Sequence, residues 1–206
     1  ATAEFLKSTE LDPQTVMVLS EMTLKNLSGD EGANIDMQDF LARADILCAL
    51  GKNVLISNYG EYYRLAQYLY RYTSNPVAIA MGLPSLREIF DEKYYEALPG
   101  GILESFGRLF KHDLKLYVCP ELDSKTGSLV SVDEMQVAPH LQHLYDYLLE
   151  NRFVKNLDTV DEKCLRIHSD QVIKQIQTGD PEWESLVPAP VVSMIKEKGL
   201  FNWKMR

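Results

Sequence analysis

The chain has 206 residues, of which 46% are hydrophobic and 25% are charged, so it can form an ordinary hydrophobic core. Its formal net charge is −9 and it lacks clustered Lys and Arg, which disfavours nucleic acid and anionic membranes as partners. A small phosphorylated ligand needs only a local site and is compatible with this charge. Because the sequence has neither a membrane-spanning apolar run nor a signal-peptide pattern, it predicts a cytoplasmic protein.

The cysteines and histidines give no strong metal or disulfide pattern. Cys48, Cys119 and Cys164 form no CxxC, which argues against a thiol zinc site and a disulfide framework. Cys48 and Cys119 lie in apolar runs and are predicted to be buried. His140 and His143 are three residues apart on a predicted helix and could share a metal, but the spacing indicates no third ligand.

Short apolar runs alternate with helical patterns over the first 120 residues. The predicted strands are Thr15–Leu19, Asn53–Ile56, Pro76–Ala80 and Leu114–Cys119. The predicted helices are Asp36–Leu50, which Gly51 is placed to end, Glu61–Tyr72, Leu86–Phe90, Tyr94–Leu98 and Ile102–Phe110. Alternation of this kind is typical of βα units. The sequence therefore predicts an α/β fold with a doubly wound, mainly parallel sheet of at least four strands.

The chain changes character after Glu121. Asp123–Gly127 predicts a turn, His140–Phe153 a strong amphipathic helix, and Asp170–Gln177 and Pro190–Lys198 two shorter helices. We therefore predict a sheet domain over residues 1–125 and a helical C-terminal lobe over residues 126–206. A single compact domain is the alternative. The chain is also open to being a fragment of a longer protein, since it begins with Ala1 and enters predicted structure quickly.

Polar side chains follow the predicted strands. In an open parallel sheet, ligands bind beyond the carboxyl ends of the strands, where helix amino termini point free N–H groups. Ser20, Thr23, Ser57 and Asn58 are candidate phosphate ligands at these ends. The alternative is that such residues only cap the helices that follow.

The segment Leu47–Asn58, which runs into a helix at Glu61–Leu65, resembles the part of the haloacid-dehalogenase-like phosphohydrolases where a strand-end hydroxyl grips phosphate. The resemblance covers residues 14–125 and implies a haloacid-dehalogenase-like (HAD-like) or Rossmann-like fold. It also implies that Glu121 and Asp123 hold a metal, and our hypothesis is that Glu21 joins them in holding Mg²⁺. Lys111 or Lys115 would neutralise the phosphate.

One departure from that family affects the mechanism. The family attacks phosphorus with an Asp at the end of the first strand and uses a second Asp two residues later. This chain has Ser20 and Met22 there, with Glu21 between them. A Ser without a nearby base is a poor nucleophile at neutral pH, so phosphoaspartate chemistry is not expected.

Phrases spread along the chain resemble a group of uncharacterised bacterial proteins described as nicotinamide- or nicotinate-nucleotide adenylyltransferases. They are Glu21–Asn26, Asp39–Asp45, Gly101–Phe110 and Gly179–Glu184. That resemblance implies nucleotide binding and nucleotidyl transfer. The well-known enzymes of that activity hold triphosphate with an HxGH turn, and none of the four histidines here lies in such a turn.

Two functional hypotheses follow. In the first, the protein binds a phosphorylated small molecule or nucleotide at the strand carboxyl ends, either as a nucleotidyl- or phosphoryl-transfer enzyme or as a degenerate relative. In the second, it is a non-catalytic assembly module that uses a tyrosine-rich surface to bind a protein partner or a second copy. The tyrosines concerned are Tyr59, Tyr62, Tyr63, Tyr68, Tyr70 and Tyr72. Whether the protein is an enzyme stays open.

Overall fold

The computed structural model describes residues 1–23, 37–123, 126–158 and 160–203. The α-helices are α1 Thr2–Thr9, α2 Met37–Ala49, α3 Tyr62–Leu69, α4 Leu83–Ile89, α5 Gly101–Leu109, α6 Gln142–Glu150, α7 Glu162–Leu165, α8 Ser169–Thr178 and α9 Ala189–Lys198. The strands are β1 Leu19–Thr23, β2 Asn53–Ser57, β3 Ala78–Gly82, β4 Lys115–Cys119, β5 Glu121–Leu122, β6 Leu129–Val130 and β7 Val154–Asn156.

The chain forms two compact units, each built from two separate stretches. The first unit contains Ala1–Val16 and Glu61–Asp161, and the second contains Met17–Gly60 and Glu162–Arg206. This grouping differs from the predicted division at residue 125. The physical reason for this grouping is that Ile46 of α2 and Leu50, just after it, pack against the core of the C-terminal helices. An amphipathic helix joins whichever element covers its apolar face.

The first unit has a parallel sheet of three strands in the order β3-β4-β7. The central strand β4 is the most buried, because it has a neighbour on both edges, and Leu116, Tyr117 and Val118 are all nearly inaccessible. Helices α3, α4, α5 and α6 contribute to the same hydrophobic core. Strands β5 and β6 form a separate antiparallel pair.

The second unit has a parallel pair, β1 and β2, together with α2 and the C-terminal helices. Its core is centred on Trp183, which is 1% exposed and is surrounded by Val172, Ile176, Val191 and Ile195. Gly51 ends α2 as predicted. It adopts φ +72°, and the N–H of Lys52 donates to the carbonyl of Leu47 at 3.0 Å.

Mixed α/β architecture with mainly parallel pairing is confirmed, but the single sheet of four strands is wrong. The described strands form three sheets, with β1 and β2 in one and β3 and β4 in another. The part predicted as a helical lobe, residues 126–206, also contains strands, since β6 and β7 lie there. Strand β7 spans only three residues, two of which are polar, so the sequence has no apolar run there that would predict a strand.

Burial was over-predicted in the second unit. The predicted buried strand Thr15–Leu19 is instead β1 at Leu19–Thr23, and Met17 is 74% exposed. Cys48 is exposed rather than buried. An apolar run gives burial only where other elements cover both faces of the sheet, and Leu19 of β1 and Ile56 of β2 are exposed as well.

All but one of the predicted helices are present, with ends that differ by a few residues. The exception is the predicted Tyr94–Leu98 helix, which is a 3₁₀ turn at Glu92–Tyr95. In the described part of the chain, no helix combines the length and the apolar character needed to cross a membrane.

Candidate functional site

Two helices of the first unit, α3 and α5, pack side by side and together position a pocket. Their facing sides carry Tyr63 and Ala66 on α3, and Phe106 and Leu109 on α5, all buried in one hydrophobic core. These residues recur at helical spacing, which is why the two helices bury one face each. The carboxyl ends of both helices are therefore held in place by core packing.

The last turn of each helix and the residues just after it contribute three side chains each. Together they line a cavity of about 260 Å³, which we call the basic pocket. Its residues are Gln67, Tyr70 and Arg71 from the end of α3, and Arg108, Lys111 and His112 from the end of α5 and the turn that follows it.

The basic pocket concentrates positive charge in a chain whose net charge is −9. Arg108 forms an ion pair with Glu104 one helical turn earlier, and the other oxygen of that carboxylate accepts the N–H of Gly100 at 2.8 Å. Arg71 and Lys111 are exposed, and neither forms an ion pair with any residue that the structure describes. The pocket thus carries two cations that no carboxylate of the described residues neutralises.

Two aromatic rings form one wall of the pocket. The rings of Tyr70 and His112 lie 4.7 Å apart between centroids, tilted by 43°, and the Tyr70 hydroxyl donates to the backbone oxygen of His112 at 3.4 Å. Burial raises the pKa of Tyr70, so this hydroxyl stays a neutral donor at neutral pH. His112 has φ +64°, which histidine tolerates better than most residues. Its ring is exposed and rests on Tyr70.

A second polar constellation lies at the end of the parallel pair in the second unit. The Ser57 hydroxyl donates to Glu21 Oε1 at 2.5 Å and accepts the N–H of Tyr59 at 3.3 Å. Thr23 is registered opposite Ser57, so Glu21, Thr23 and Ser57 share one face of the pair. Ser20 points to the other face. Of the predicted strand-end residues, the structure therefore brings Glu21 and Ser57 into direct contact.

The Glu21–Ser57 pair has little free capacity for an anion. The proton of Ser57 is already donated to the carboxylate, and a carboxylate repels phosphate unless a cation lies between them. Glu21 could contribute one ligand to such a cation. Among the described residues, however, no group of three or more His, Cys, Asp or Glu side chains is arranged to hold a metal. The predicted Mg²⁺ site stays a prediction.

The remaining predicted residues are accounted for as follows. Glu121 pairs with Arg87 at 2.5 Å, and Asp123 accepts the backbone N–H and the hydroxyl of Thr126 at 2.7 and 2.9 Å, which secures the turn between β5 and β6. Asn58 is exposed in the turn after β2.

Three basic residues named from the sequence lie at different places in the structure. Lys111 lines the basic pocket. Lys115 pairs with Asp113 at 2.6 Å, so it is less available to a ligand than Lys111. His140 contacts Glu92 at 2.6 Å on the surface.

Sequence reasoning named Lys111 but missed Gln67, Arg71 and His112 as members of one site. The sequence does contain a signal for them. Polar or basic side chains recur at positions i, i+3 and i+4 near the end of each helix, at residues 67, 70 and 71 and at residues 108, 111 and 112. What the sequence lacks is any sign that these two helix ends are neighbours.

Comparison with known proteins adds no family to this picture. No family model, no curated protein and no solved structure matches the chain. The resemblances to haloacid-dehalogenase-like phosphohydrolases and to adenylyltransferases therefore stay predictions, and the interpretation of function depends on the geometry of the site.

Proposed function

We propose that this protein binds a phosphorylated small molecule, and that the basic pocket is where it does so. The observation that carries the proposal is that Arg71 and Lys111, both without a described carboxylate partner, line one cavity with Arg108. Arg offers a planar fork of donors that matches phosphate oxygens, and Lys adds a compact charge. Because the chain as a whole is acidic, this local excess of positive charge supports a site for an anionic ligand.

The local charges favour an anion even though two helices end at the pocket. Each helix carries roughly half a negative charge at its carboxyl end, so α3 and α5 together oppose an anion by about one charge. Arg71 and Lys111 contribute two positive charges, and Arg108 is balanced by Glu104. The balance is positive by about one charge.

The size of the cavity restricts the ligand. Ligand pockets commonly have volumes of about 300–1,000 Å³, and the basic pocket, at about 260 Å³, falls just below that range. A phosphosugar or mononucleotide suits such a volume better than a dinucleotide.

Isothermal titration calorimetry with ribose 5-phosphate tests the proposal, with ribose as the ligand that lacks phosphate. We expect ribose 5-phosphate to bind and ribose not to bind. In the double variant Arg71→Gln/Lys111→Gln the affinity should fall at least tenfold, because one charge-assisted hydrogen bond contributes about 1.5–3 kcal/mol, or roughly 10- to 150-fold.

The matched control is Arg166→Gln/Lys174→Gln, which changes the net charge equally at two exposed positions of the second unit. It should bind ribose 5-phosphate like the wild type. Equal loss in both double variants would show that only the overall charge matters and would reject the pocket. Absence of binding to the wild type would reject phosphosugar binding altogether.

Assembly through tyrosines is a second candidate function, favoured by one observation. Tyr72, just after α3, is 75% exposed, and its ring lies edge-on to that of Tyr68 with centroids 5.2 Å apart. Exposed aromatic side chains are enriched at protein interfaces. If the chain assembles through this surface, light scattering should show a dimer or larger species that Tyr72→Ser converts to a monomer. A wild type that is strictly monomeric would exclude self-assembly through Tyr72.

A further inference from the structure

We infer that the ligand of the basic pocket is a nucleoside monophosphate whose base stacks on the ring of His112. This rests on the proposed function, because it takes phosphate binding at Arg71 and Lys111 as given. The new element is the aromatic wall of the pocket, which a phosphosugar would leave unused.

The His112 ring is arranged as a stacking platform. Its backbone is held in the left-handed region at φ +64°, and its carbonyl accepts the Tyr70 hydroxyl at 3.4 Å. The imidazole is exposed, yet it rests on the Tyr70 ring at a centroid distance of 4.7 Å. A ring held in this way loses little conformational entropy when a ligand stacks on it. Nucleobases stack on such rings because every base has a π face.

The polar residues of the pocket include cations that suit a phosphate and an amide that suits a nucleobase. Arg71 and Lys111 lie one residue beyond Tyr70 and one residue before His112, so each ring is adjacent in sequence to a cation. Gln67 is the uncharged polar member of the lining, and its amide can both donate and accept. A ligand with a phosphate at one end and a hydrogen-bonding aromatic base at the other satisfies all of these groups, and it has the size that the cavity allows.

The test compares AMP with ribose 5-phosphate in the same calorimetric experiment, using wild type and His112→Asn. Asn keeps the left-handed backbone accessible while it removes the ring, so the turn should survive the substitution. Base stacking is worth roughly 5- to 150-fold in affinity. We expect AMP to bind the wild type at least fivefold more tightly than ribose 5-phosphate. His112→Asn should remove that difference without changing the affinity for ribose 5-phosphate.

Two further variants keep the result interpretable. Tyr72→Phe, at an exposed position that does not line the pocket, should keep the preference for AMP, whereas Tyr70→Leu removes the ring on which His112 rests and should weaken it. If AMP and ribose 5-phosphate bind the wild type equally, the nucleotide inference is overturned while phosphate binding stands. If His112→Asn weakens both ligands alike, the ring does not act by stacking and the inference also fails. If neither ligand binds the wild type, the proposed function fails with it.

Discussion

The basic pocket of the first unit and the Glu21–Ser57 pair of the second unit are both clusters of polar side chains at the ends of regular elements, yet their capacity to bind a ligand differs. Ser57 and Glu21 satisfy one another at 2.5 Å. In the pocket, Arg71 and Lys111 have no carboxylate partner among the described residues. Side chains that are already paired have little to offer a ligand, so unpaired charge is the better guide to a binding site.

The largest effect is expected when the charge of the basic pocket is reversed. Arg71→Glu/Lys111→Glu should abolish ribose 5-phosphate binding, a loss of more than 100-fold, because two attractive charges become repulsive. Calorimetry on this variant beside Glu21→Gln measures the contrast, and Glu21→Gln should leave the affinity within twofold of the wild type. If instead Glu21→Gln abolished binding, the second unit would hold the ligand.

The scaffold beneath the pocket can be tested through Tyr95, which packs on Phe106 of α5 and donates its hydroxyl to the Ile89 carbonyl at 2.8 Å. Tyr95→Phe leaves that buried carbonyl unpaired and should lower the free energy of unfolding by about 1–3 kcal/mol at neutral pH. Urea denaturation followed by fluorescence gives this value. An unchanged stability would mean that the hydrogen bond contributes nothing.

The same tyrosine predicts an alkaline effect of defined sign. Burial raises the pKa of Tyr95 from 10.0 to about 12, so its folded-state pKa lies above its unfolded-state value. The stabilisation is fully present below pH 10 and is lost as the pH rises from 10 through 12. Stability of the wild type should therefore fall in that window more steeply than that of Tyr95→Phe. Tyr72→Phe, at an exposed position, should follow the wild type.

Removing the hydrogen bond between Ser57 and Glu21 should have a smaller effect on the free energy of unfolding. Ser57→Ala removes a hydrogen bond to a carboxylate that is open to water, so the unfolding free energy should fall by only about 1 kcal/mol. The affinity for ribose 5-phosphate should not change. Ser74→Ala, at an exposed position outside this contact, controls for loss of a hydroxyl. Weaker ligand binding in Ser57→Ala, but not in Ser74→Ala, would show that the binding site lies at the strand ends.

The smallest predicted effect has the opposite sign. Glu104→Gln removes the negative charge that balances Arg108, so the affinity for ribose 5-phosphate should rise by roughly twofold at low salt. Raising the ionic strength should erase the gain because surface charges are screened. Glu150→Gln, at an exposed position on α6, should produce no gain. A loss of affinity in Glu104→Gln would show that Glu104 matters by holding Arg108 in place.

Much of the fold follows from local pattern. The buried side chains of α5, Ile102, Phe106 and Leu109, recur at helical spacing, and Gly51 ends α2 with the left-handed conformation that glycine adopts easily. Strand β7 could not be predicted, because its three residues acquire strand structure from pairing with β4 and not from their own apolar character. The exposure of Met17 likewise depends on what covers the strand pair, and sequence periodicity does not contain that information.

The candidate site was predictable only in part. Lys111 was named through a family resemblance, and Ser57 was placed at the end of a predicted strand. The contact between Glu21 and Ser57 depends on the pairing of β1 with β2, which the structure supplies. Arg71 and His112 could not be joined to one site in advance. They are 41 positions apart, and only the packing of α3 on α5 brings them together.

The most direct measurement is an NMR titration of the ¹⁵N-labelled protein with ribose 5-phosphate, followed through the backbone amide shifts. If the basic pocket binds the ligand, the largest shift changes fall within residues 67–72 and 108–113, where the pocket lies. Shift changes confined to residues 20–23 and 57–60, at the strand ends of the second unit, would contradict it.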